Sequence, residues 1–343
     1  MKLEAERFII KLPRPFRIAH GSSRTRETIL VHIHYEGIDA HGEGALPPYY
    51  RSSAEASLDW LNSIGRKADL AAWESKCARK APAQAVAGHV ALEIALEDLK
   101  ARKAGKPLWH LWDLNPAAIP ACWRTVSMVS SEHELCDMLD EARSHGSTCI
   151  KLKTGSGDFA WDKRCIQLAV ARKIRLGLDV NGGWTPAQSA QILPKLGEQK
   201  IAFVEQPVGR ESEKWRELRS RAGEAGIPPL VADESLQEQE DFAEMRCLID
   251  GVNVKLLKTG GLRAALHWIS LARELGLLVM LGVMVETGVA RTAAAQLAPL
   301  ADWLDIDPPD SIPANPMIGF QIYGDRLALS DRPGLGLVEV EST

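Results

Sequence analysis

Charged side chains recur at regular intervals in the middle of the chain, each at or near the end of a short apolar segment. They are Lys151, Lys153, Asp179, Glu205, Asp233 and Lys255. From Lys153 onward, successive members of this set lie 22 to 28 residues apart, about the length of one strand, one helix and their loops. Buried parallel strands are normally apolar throughout, because a charge removed from water is costly unless it is paired. The pattern therefore predicts that these side chains meet at a functional site.

The three carboxylates of this set predict a metal site. Asp179, Glu205 and Asp233 would repel one another if they converged without a cation, and ligation by oxygen alone suits a hard ion such as Mg²⁺. Asn181 follows Asp179 by two residues, points to the same side, and could contribute its amide oxygen or a bound water. The alternative is that each carboxylate is an ordinary strand-end residue, exposed or in a salt bridge.

The lysines of the set have the chemistry of proton-transfer groups. Lys151 and Lys153 are two residues apart and share a face, so their repulsion favours a neutral amine on one of them, and a neutral amine is a general base. Lys255 belongs to the sixth predicted strand and comes from nearly the opposite wall of a barrel. A substrate held between the two walls would have one lysine on each face of its α-carbon. The alternative is a structural network in which the lysines only pair with the acids.

A pair of aspartates in the segment WLDIDPP adds negative charge at the end of the eighth predicted strand. Asp305 and Asp307 share a face, and a substrate ammonium group is their natural partner. Such a pair also occurs at strand ends as a cap for a neighbouring helix, which is the alternative interpretation.

Eight short apolar segments, alternating with amphipathic stretches, must position these residues. The predicted strands are TVSMV, CIKLK, LGLDV, AFVEQ, LVADE, GVNVKL, LVMLGV and WLDID. One intervening helix has a clear start, with Thr185 as N-cap and Pro186 at its first position. Strict alternation of strand and helix predicts parallel β/α architecture, and eight strands close a barrel whose active site lies at the carboxyl ends of the strands. No ninth unit follows Met317.

A smaller α+β unit is predicted ahead of the barrel. Residues 28–36 alternate between apolar and polar side chains as a half-buried strand does, and the glycine-rich segment 37–48 contains turns and a second strand. The pattern from about residue 83 to 111 is helical up to a break at residues 105–107. The apolar face of that helix carries Leu92, Ala95, Leu96 and Leu99.

Composition narrows the class of protein. The chain has 343 residues, 45% of them hydrophobic and 25% charged, which is the balance of a globular protein with a large core. The net charge of −4 and the lack of a basic stripe argue against nucleic acid as a partner. The amino terminus lacks a continuous apolar stretch, so we expect a cytoplasmic protein without a membrane partner. The sequence leaves a homo-oligomer open.

The motifs together resemble the enolase superfamily, specifically its muconate lactonizing enzyme subgroup. They are KLK at 151–153, DVN at 179–181, VEQP at 204–207, ADES at 232–235, KLLKTGG at 255–261 and GHVALEIALEDLKARKAGKPL at 88–108. The resemblance implies a modified TIM barrel of the (β/α)7β type with an α+β N-terminal capping domain. Residues 1–118 would form the capping domain and residues 119–317 the barrel, with the tail from about 318 to 343 packing back on the capping domain.

The resemblance also implies roles for individual residues. Mg²⁺ would be bound by Asp179, Glu205 and Asp233 and would stabilise an enediolate intermediate. Acid/base catalysis would fall to Lys153 and Lys255, and Lys151 and the Asp305/Asp307 pair would bind the substrate. The histidine base of the mandelate racemase subgroup is absent from LVMLGVMVETG at 278–288, which argues against acid-sugar dehydration.

Within the lysine subgroup, the chain is most similar to the dipeptide epimerases, which invert the α-carbon of a dipeptide residue. Asp305-Ile306-Asp307 is similar to the Asp-x-Asp with which those enzymes hold a free ammonium group, and FRIAHGSSRTRE at 16–27 resembles their specificity loop. N-acylamino acid racemases, o-succinylbenzoate synthases and cycloisomerases share the catalytic residues. They remain the alternatives, because the VETG stretch around Glu286 resembles the racemases equally well.

Two rival classes fit the sequence less well. Gly155-Ser156-Gly157 with Ala160 matches a dinucleotide-binding fingerprint, but a dehydrogenase would leave the later acids unexplained. A non-catalytic relative would be expected to lose a catalytic lysine or a metal ligand, and this chain keeps them all.

Overall fold

The computed structural model of the protein describes residues 2–18, 21–48, 50–63, 68–223, 226–311 and 316–340. Its elements form an antiparallel sheet with helices, then a long alternation of strands and helices, and finally four short strands. No helix in these ranges is long and apolar enough to cross a membrane. The segment 16–27, which resembles a specificity loop, includes residues 19 and 20, which lie outside the described part of the chain.

An antiparallel sheet of three strands opens the chain, one strand more than the two predicted there. Its strands are β1 (Lys2–Ile18), β2 (Gly21–Tyr35) and β3 (Ile38–Leu46), with β2 in the middle. The first strand was not predicted as a separate element. Along β2, Ile29, Val31 and Ile33 are buried, as expected when one face of a sheet packs on a core.

Four helices follow the sheet: α1 (Ala54–Asn62), α2 (Leu70–Cys77), α3 (Val86–Lys103) and α4 (Leu108–Leu111). The four residues predicted to share the apolar face of α3 are all buried, and the helix ends before the predicted break. However, α3 is buried on all sides, because it lies between the sheet and the barrel and contributes to both hydrophobic cores.

The Gly-Glu-Gly segment of β3 explains how closely the sheet approaches α3. A Cβ atom on Gly42 would lie 1.9 Å from Ala91 O, and one on Gly44 would lie 1.9 Å from Ala87 O. Only glycine fits at such distances. The side chain of Glu43, between them, therefore points away from α3 and toward the barrel.

The eight predicted barrel strands are all present in one parallel sheet. They are β4 (Arg124–Val126), β5 (Cys149–Lys153), β6 (Arg175–Asp179), β7 (Val204–Glu205), β8 (Leu230–Ala232), β9 (Gly251–Val254), β10 (Leu278–Gly282) and β11 (Trp303–Asp305). Neighbours in the sheet follow chain order from β4 to β11, and a parallel bridge between Cys122 and Leu304 joins the first strand to the last. The predicted (β/α)7β barrel is confirmed.

The helices between these strands are α5 (Glu132–Ser144), α6 (Phe159–Ala171), α7 (Pro186–Glu198), α8 (Ser212–Ala222), α9 (Asp241–Met245), α10 (Leu256–Thr259), α11 (Leu262–Glu274) and α12 (Gly288–Ala295). The predicted start of α7 is confirmed, since the Thr185 side chain accepts from Gln188 N and Gln188 completes a capping box.

The C-terminal strands are β12 (Met317–Ile318), β13 (Phe320–Tyr323), β14 (Arg326–Leu329) and β15 (Val338–Glu339). The tail contacts the N-terminal helices: Leu335 N donates to Asp98 Oδ1 at 2.7 Å, and Leu108 N donates to Gly334 O at 2.8 Å. The domain boundaries at 118 and 317 stay predictions.

Candidate active site

The charged side chains predicted from the sequence meet where the barrel strands end. Lys153, Asp179 and Glu205 are the last residues of β5, β6 and β7 and lie side by side in the sheet register. Asp233 and Lys255 directly follow β8 and β9. A cleft of about 590 Å³, counted with its open mouth, lies above them.

Each lysine predicted to act in proton transfer donates a hydrogen bond to a different aspartate. Lys153 Nζ lies 2.7 Å from Asp179 Oδ2, and Lys255 Nζ lies 2.7 Å from Asp233 Oδ2. Both lysines line the cleft. Because β5 and β9 are four positions apart in a closed sheet of eight strands, the two amines approach the cleft from opposite walls.

Lys151 is at the centre of a buried ionic network. Its Nζ lies 3.0 Å from Glu205 Oε2 and 3.5 Å from Asp179 Oδ2, and it also donates to Asp305 Oδ2. Burial lowers the pKa of Lys151, but these three carboxylates outweigh burial and hold the pKa well above its usual value. The sequence predicts that repulsion discharges one of Lys151 and Lys153. Lys151 is not discharged, because the carboxylates around it favour the ammonium form.

The predicted metal ligands are almost completely inaccessible: Asp179 is 1% exposed, Glu205 is 0% and Asp233 is 3%. Burial and the charge of Asp179 raise the pKa of Glu205 to about 7. Burial also acts to raise the pKa of Asp233, but Lys255 and Lys258 outweigh it and hold that pKa far below its usual range. For Asp179, Lys153 and Lys151 likewise outweigh burial and lower the pKa.

The site carries more negative than positive charge. Its carboxylates are Asp179, Glu205, Asp233, Glu234, Asp305 and Asp307, and its ammonium groups are Lys151, Lys153, Lys255 and Lys258. Six carboxyl groups face four amines, so the acidic side chains of the site outnumber the basic ones by two. In accord with this excess, burial and neighbouring carboxylates raise the pKa of Glu234 to about 7, and its Oε2 is buried without a hydrogen-bond partner.

This excess fits a divalent cation. In the described part of the chain no group of three His, Cys, Asp or Glu side chains is arranged to hold a metal ion, because lysine amines occupy the carboxylates that would have to converge. The donors are all oxygen, as a hard cation requires, and two positive charges would balance the site. Asp179, Glu205 and Asp233 are therefore the residues that could hold one.

The two aspartates at the end of β11 differ in their surroundings. Asp305 is tied down, since Thr125 Oγ1 donates to its Oδ1 at 3.0 Å and Lys151 donates to its Oδ2. The carboxylate of Asp307 lines the cleft and makes no hydrogen bond or ion pair with any described residue. Burial and the charge of Asp305 raise the pKa of Asp307. Asp307 is thus the more available acceptor for a cationic group.

Sequence reasoning missed three polar residues of the site. Asn253 Nδ2 donates to Glu205 Oε1 at 2.6 Å, and Lys258 Nζ donates to Asp233 Oδ1 at 2.7 Å. Glu234 Oε1 accepts from Asn181 Nδ2 at 3.1 Å. A signal was available for Asn253, which interrupts the apolar strand GVNV. Lys258 lies in the short helix α10 and Glu234 in the turn after β8, two places where a charged residue is unremarkable.

Comparison with known proteins gives the same architecture along nearly the whole chain. Residues 3–112 match the model for the mandelate racemase / muconate lactonizing enzyme N-terminal domain, and residues 134–341 match the enolase C-terminal domain-like model. The L-Ala-D/L-Glu epimerase of Bacteroides thetaiotaomicron is 29% identical, over 99% of this chain and 88% of that protein.

Solved structures agree. The substrate-liganded L-Ala-D/L-Glu epimerase from Bacillus subtilis superposes with a TM-score of 0.88 at 26% identity, covering 99% of this chain and 98% of that one. The dipeptide epimerase from Enterococcus faecalis, complexed with Mg and L-Leu-L-Tyr, has a TM-score of 0.85 at 27% identity, covering 98% and 99%. The chain therefore belongs to the enolase superfamily, in the family that joins a mandelate racemase / muconate lactonizing enzyme N-terminal domain to an enolase-like barrel.

Proposed function

We propose that the protein is a Mg²⁺-dependent dipeptide epimerase that inverts the α-carbon next to the free carboxylate of a dipeptide. The observation that carries this proposal is the pair of amines, Lys153 and Lys255, facing one cleft from opposite walls. Inversion needs a proton to leave one face of a carbon and another to reach the opposite face, and two opposed lysines do this without moving the substrate. The similarity to dipeptide epimerases along almost the full chain supports the same substrate class.

In this proposal the two lysines exchange roles with the direction of the reaction. The lysine on the side of the α-proton acts as a neutral amine and accepts it, while the opposite lysine acts as an ammonium and donates its proton to the other face. Asp179, Glu205 and Asp233 would hold Mg²⁺, and the bound ion would supply stabilisation of the negative charge that develops on the substrate carboxylate. Burial of these residues excludes water and strengthens each of these electrostatic effects.

Binding of the substrate termini is assigned to the remaining charged residues. Lys151 supports the substrate carboxylate from below, at the point where its ammonium already meets Glu205 and Asp305. The Asp-x-Asp pair binds the free ammonium group, with Asp307 as its main contact because Asp305 is engaged by Lys151 and Thr125. An N-acylated amino acid has no free α-ammonium group, so Asp307 favours the dipeptide.

Deuterium uptake from D₂O tests the proposal directly. The purified protein with Mg²⁺ is incubated with a library of L,L-dipeptides and, in parallel, with N-succinylamino acids, and each product mass is measured. We expect incorporation of one deuteron into free dipeptides, abolished by EDTA. Uptake confined to the N-succinyl compounds would move the assignment to the N-acylamino acid racemases, and no uptake in either set would contradict both functions.

A further inference from the structure

A polar stripe on the buried helix α3 contacts the barrel loop that follows Lys255. The stripe consists of His89, Glu93 and Glu97, which are spaced four residues apart and so lie on one face of the helix. Asp98, which accepts from Leu335 N, is a further buried charge of α3, and apolar residues of the helix pack on both the sheet side and the barrel side. Buried charge in such a place is costly unless it is fully paired, so its partners indicate what it does.

All three members of the stripe bind the same short segment of the barrel. His89 Nδ1 lies 2.9 Å from Gly260 O. The carboxylate of Glu93 accepts from Leu262 N at 2.8 Å and from Arg263 N at 3.0 Å, and so caps the amino terminus of α11. Glu97 accepts from Arg263 Nε at 2.6 Å.

The position at the start of α11 accepts only glycine, because the Glu93 carboxylate lies against its backbone. Gly261 has φ 134° and ψ −174°, a conformation that is strained for any residue with a side chain. A Cβ atom there would lie 2.7 Å from Glu93 Oε2. Barrel helices ordinarily take their caps from their own N-terminal residues, whereas α11 takes its cap from a helix 169 positions earlier in the chain.

This contact is connected rigidly to Lys255. The carbonyl of Lys255 accepts from Lys258 N and Thr259 N, and the carbonyl of Leu256 accepts from Gly260 N and Gly261 N. Residues 255–261 thus form one continuous hydrogen-bonded turn. A displacement of the start of α11 is therefore transmitted to the backbone of Lys255 rather than absorbed by a loose loop.

We propose that Glu93 is a positioning residue that sets the placement of the Lys255 amine at the active site, an inference that rests on the proposed two-lysine epimerisation. The N-terminal unit thereby controls one of the two bases directly. Lys153, the other base, hydrogen-bonds to Asp179 and Asn181, which both belong to the barrel.

A second cap from the N-terminal unit provides a matched control. Glu43 is 0% exposed and accepts from Thr287 N at 2.8 Å and from Ala290 N at 2.9 Å, so it caps α12 as Glu93 caps α11. However, Glu43 holds the loop after β10, not the one that carries Lys255. The two glutamates have the same chemistry and burial and differ in which loop they hold.

The test compares two dipeptide epimers that differ only at the carboxy-terminal α-carbon. Their initial rates of deuterium uptake are measured for the wild type, Lys255→Ala, Glu93→Gln and Glu43→Gln. Lys255→Ala identifies the epimer whose proton is removed by Lys255, because that epimer loses exchange while the other retains it. Glutamine at position 93 places an amide donor against a backbone donor, which loosens the cap.

We expect Glu93→Gln to lower the ratio of Lys255-dependent to Lys153-dependent exchange by about tenfold or more, in the same direction as Lys255→Ala, since a displacement of about 1 Å can cost about a hundredfold in rate. Glu43→Gln should slow both epimers by similar factors. An unchanged ratio in a folded Glu93→Gln protein, or an equal change in both variants, would overturn the inference.

Folding is checked by circular dichroism, and His89→Gln is the milder second variant if Glu93→Gln does not fold. It removes the contact with Gly260 and should shift the ratio in the same direction by a smaller factor, and no shift would contradict the inference. Exchange in the wild type distinguishes a failure of the proposed function from a failure of the inference about Glu93. A wild type without any exchange contradicts the proposed function and this inference together, whereas exchange with unaltered ratios contradicts the inference alone.

Discussion

Lys153 and Lys255 lie on opposite walls of the cleft, and different contacts hold them in place. Lys153 ends a barrel strand and is hydrogen-bonded to Asp179, the last residue of the next strand, and to Asn181, two residues beyond it. Lys255 begins a hydrogen-bonded turn. The residue that follows this turn, Leu262, is bound by Glu93 of α3 in the N-terminal unit. The proposed base Lys255 therefore depends on contact between two parts of the chain in addition to its contacts within the barrel.

This difference indicates how a symmetric reaction can be run by an asymmetric structure. The chemistry requires both amines to reach the same carbon, but it does not require them to be held in the same way. Tyr50 of the N-terminal unit also lines the cleft, so the unit proposed to position Lys255 also forms part of the cleft wall. Changes in packing between the units should then affect one direction of proton removal more than the other.

The strongest test of the difference between the two walls is to remove each of the two lysines in turn. Lys153→Ala and Lys255→Ala should each lower epimerisation by about a thousandfold, within the range for loss of a general acid/base. Each variant should retain deuterium exchange in one epimer, and the retained epimer should differ between the two. The readout is chiral chromatography for epimerisation and mass spectrometry for exchange. If both variants retained exchange in the same epimer, the lysines would not lie on opposite faces.

The next largest effect is expected from a substitution that affects both walls of the cleft equally. Asp307→Asn removes the carboxylate assigned to the substrate ammonium, and loss of a charged hydrogen bond of about 1.5–3 kcal/mol should raise KM for dipeptides about 10- to 100-fold. The exchange rates of the two epimers should fall together, because Asp307 belongs to neither base. N-succinylamino acids, tested as competitive inhibitors of dipeptide exchange, are the matched control, since their inhibition constant should not rise. A change confined to one epimer would place Asp307 beside one lysine instead.

A substitution of Asn181 tests the Lys153 wall of the cleft, as a substitution of Glu93 tests the Lys255 wall. Its Oδ1 lies 3.4 Å from Lys153 Nζ, its Nδ2 binds Glu234, and its φ of 46° is left-handed. Asn181→Gly removes the side chain while keeping that backbone conformation without strain. We expect roughly tenfold slower exchange of the Lys153-dependent epimer only, by analogy with a small displacement of a catalytic group. Equal slowing of both epimers would assign Asn181 to metal binding.

Much of the barrel was predictable because its signals are local. The eight apolar segments and the start at Thr185 are read within a few residues, and all appear in the structure. The convergence of Lys153, Asp179 and Glu205 followed from their place at successive strand ends. Roles for these residues stay predictions until activity is measured.

What escaped prediction depends on long-range contacts. Glu93 and Glu43 are ordinary residues in a helix and a strand, and their partners lie 169 and 244 positions away. The charged state of Lys151 likewise depends on Asp305, which is 154 residues distant. Local pattern identifies which residues are unusual, but only the fold shows which of them meet.

The smallest effect concerns stability at the other N-terminal contact, where Glu43 caps α12. Glu286, 4% exposed, precedes the helix that Glu43 caps, and burial together with the charge of Glu43 raises its pKa to about 8. The folded protein therefore binds this proton more tightly than the unfolded chain does. Its stabilising contribution is full below about pH 4.5 and is lost as the pH rises to about 8.

Glu286→Gln removes this titration while keeping an acceptor for Met284 N, which donates to Glu286 Oε1 at 3.2 Å. Between pH 5 and pH 8 the wild type should lose stability relative to the variant by up to about 1.4 kcal/mol per pH unit. Urea unfolding in EDTA at pH 5, 6.5 and 8 measures the difference in the free energy of unfolding. Glu6→Gln, at an exposed position of the same N-terminal sheet, is the control and should leave the slope unchanged. If the free energies of unfolding of the wild type and of Glu286→Gln changed with pH in parallel, Glu286 would be ionised in the folded protein. Glu43 and Glu286 would then repel each other at this contact.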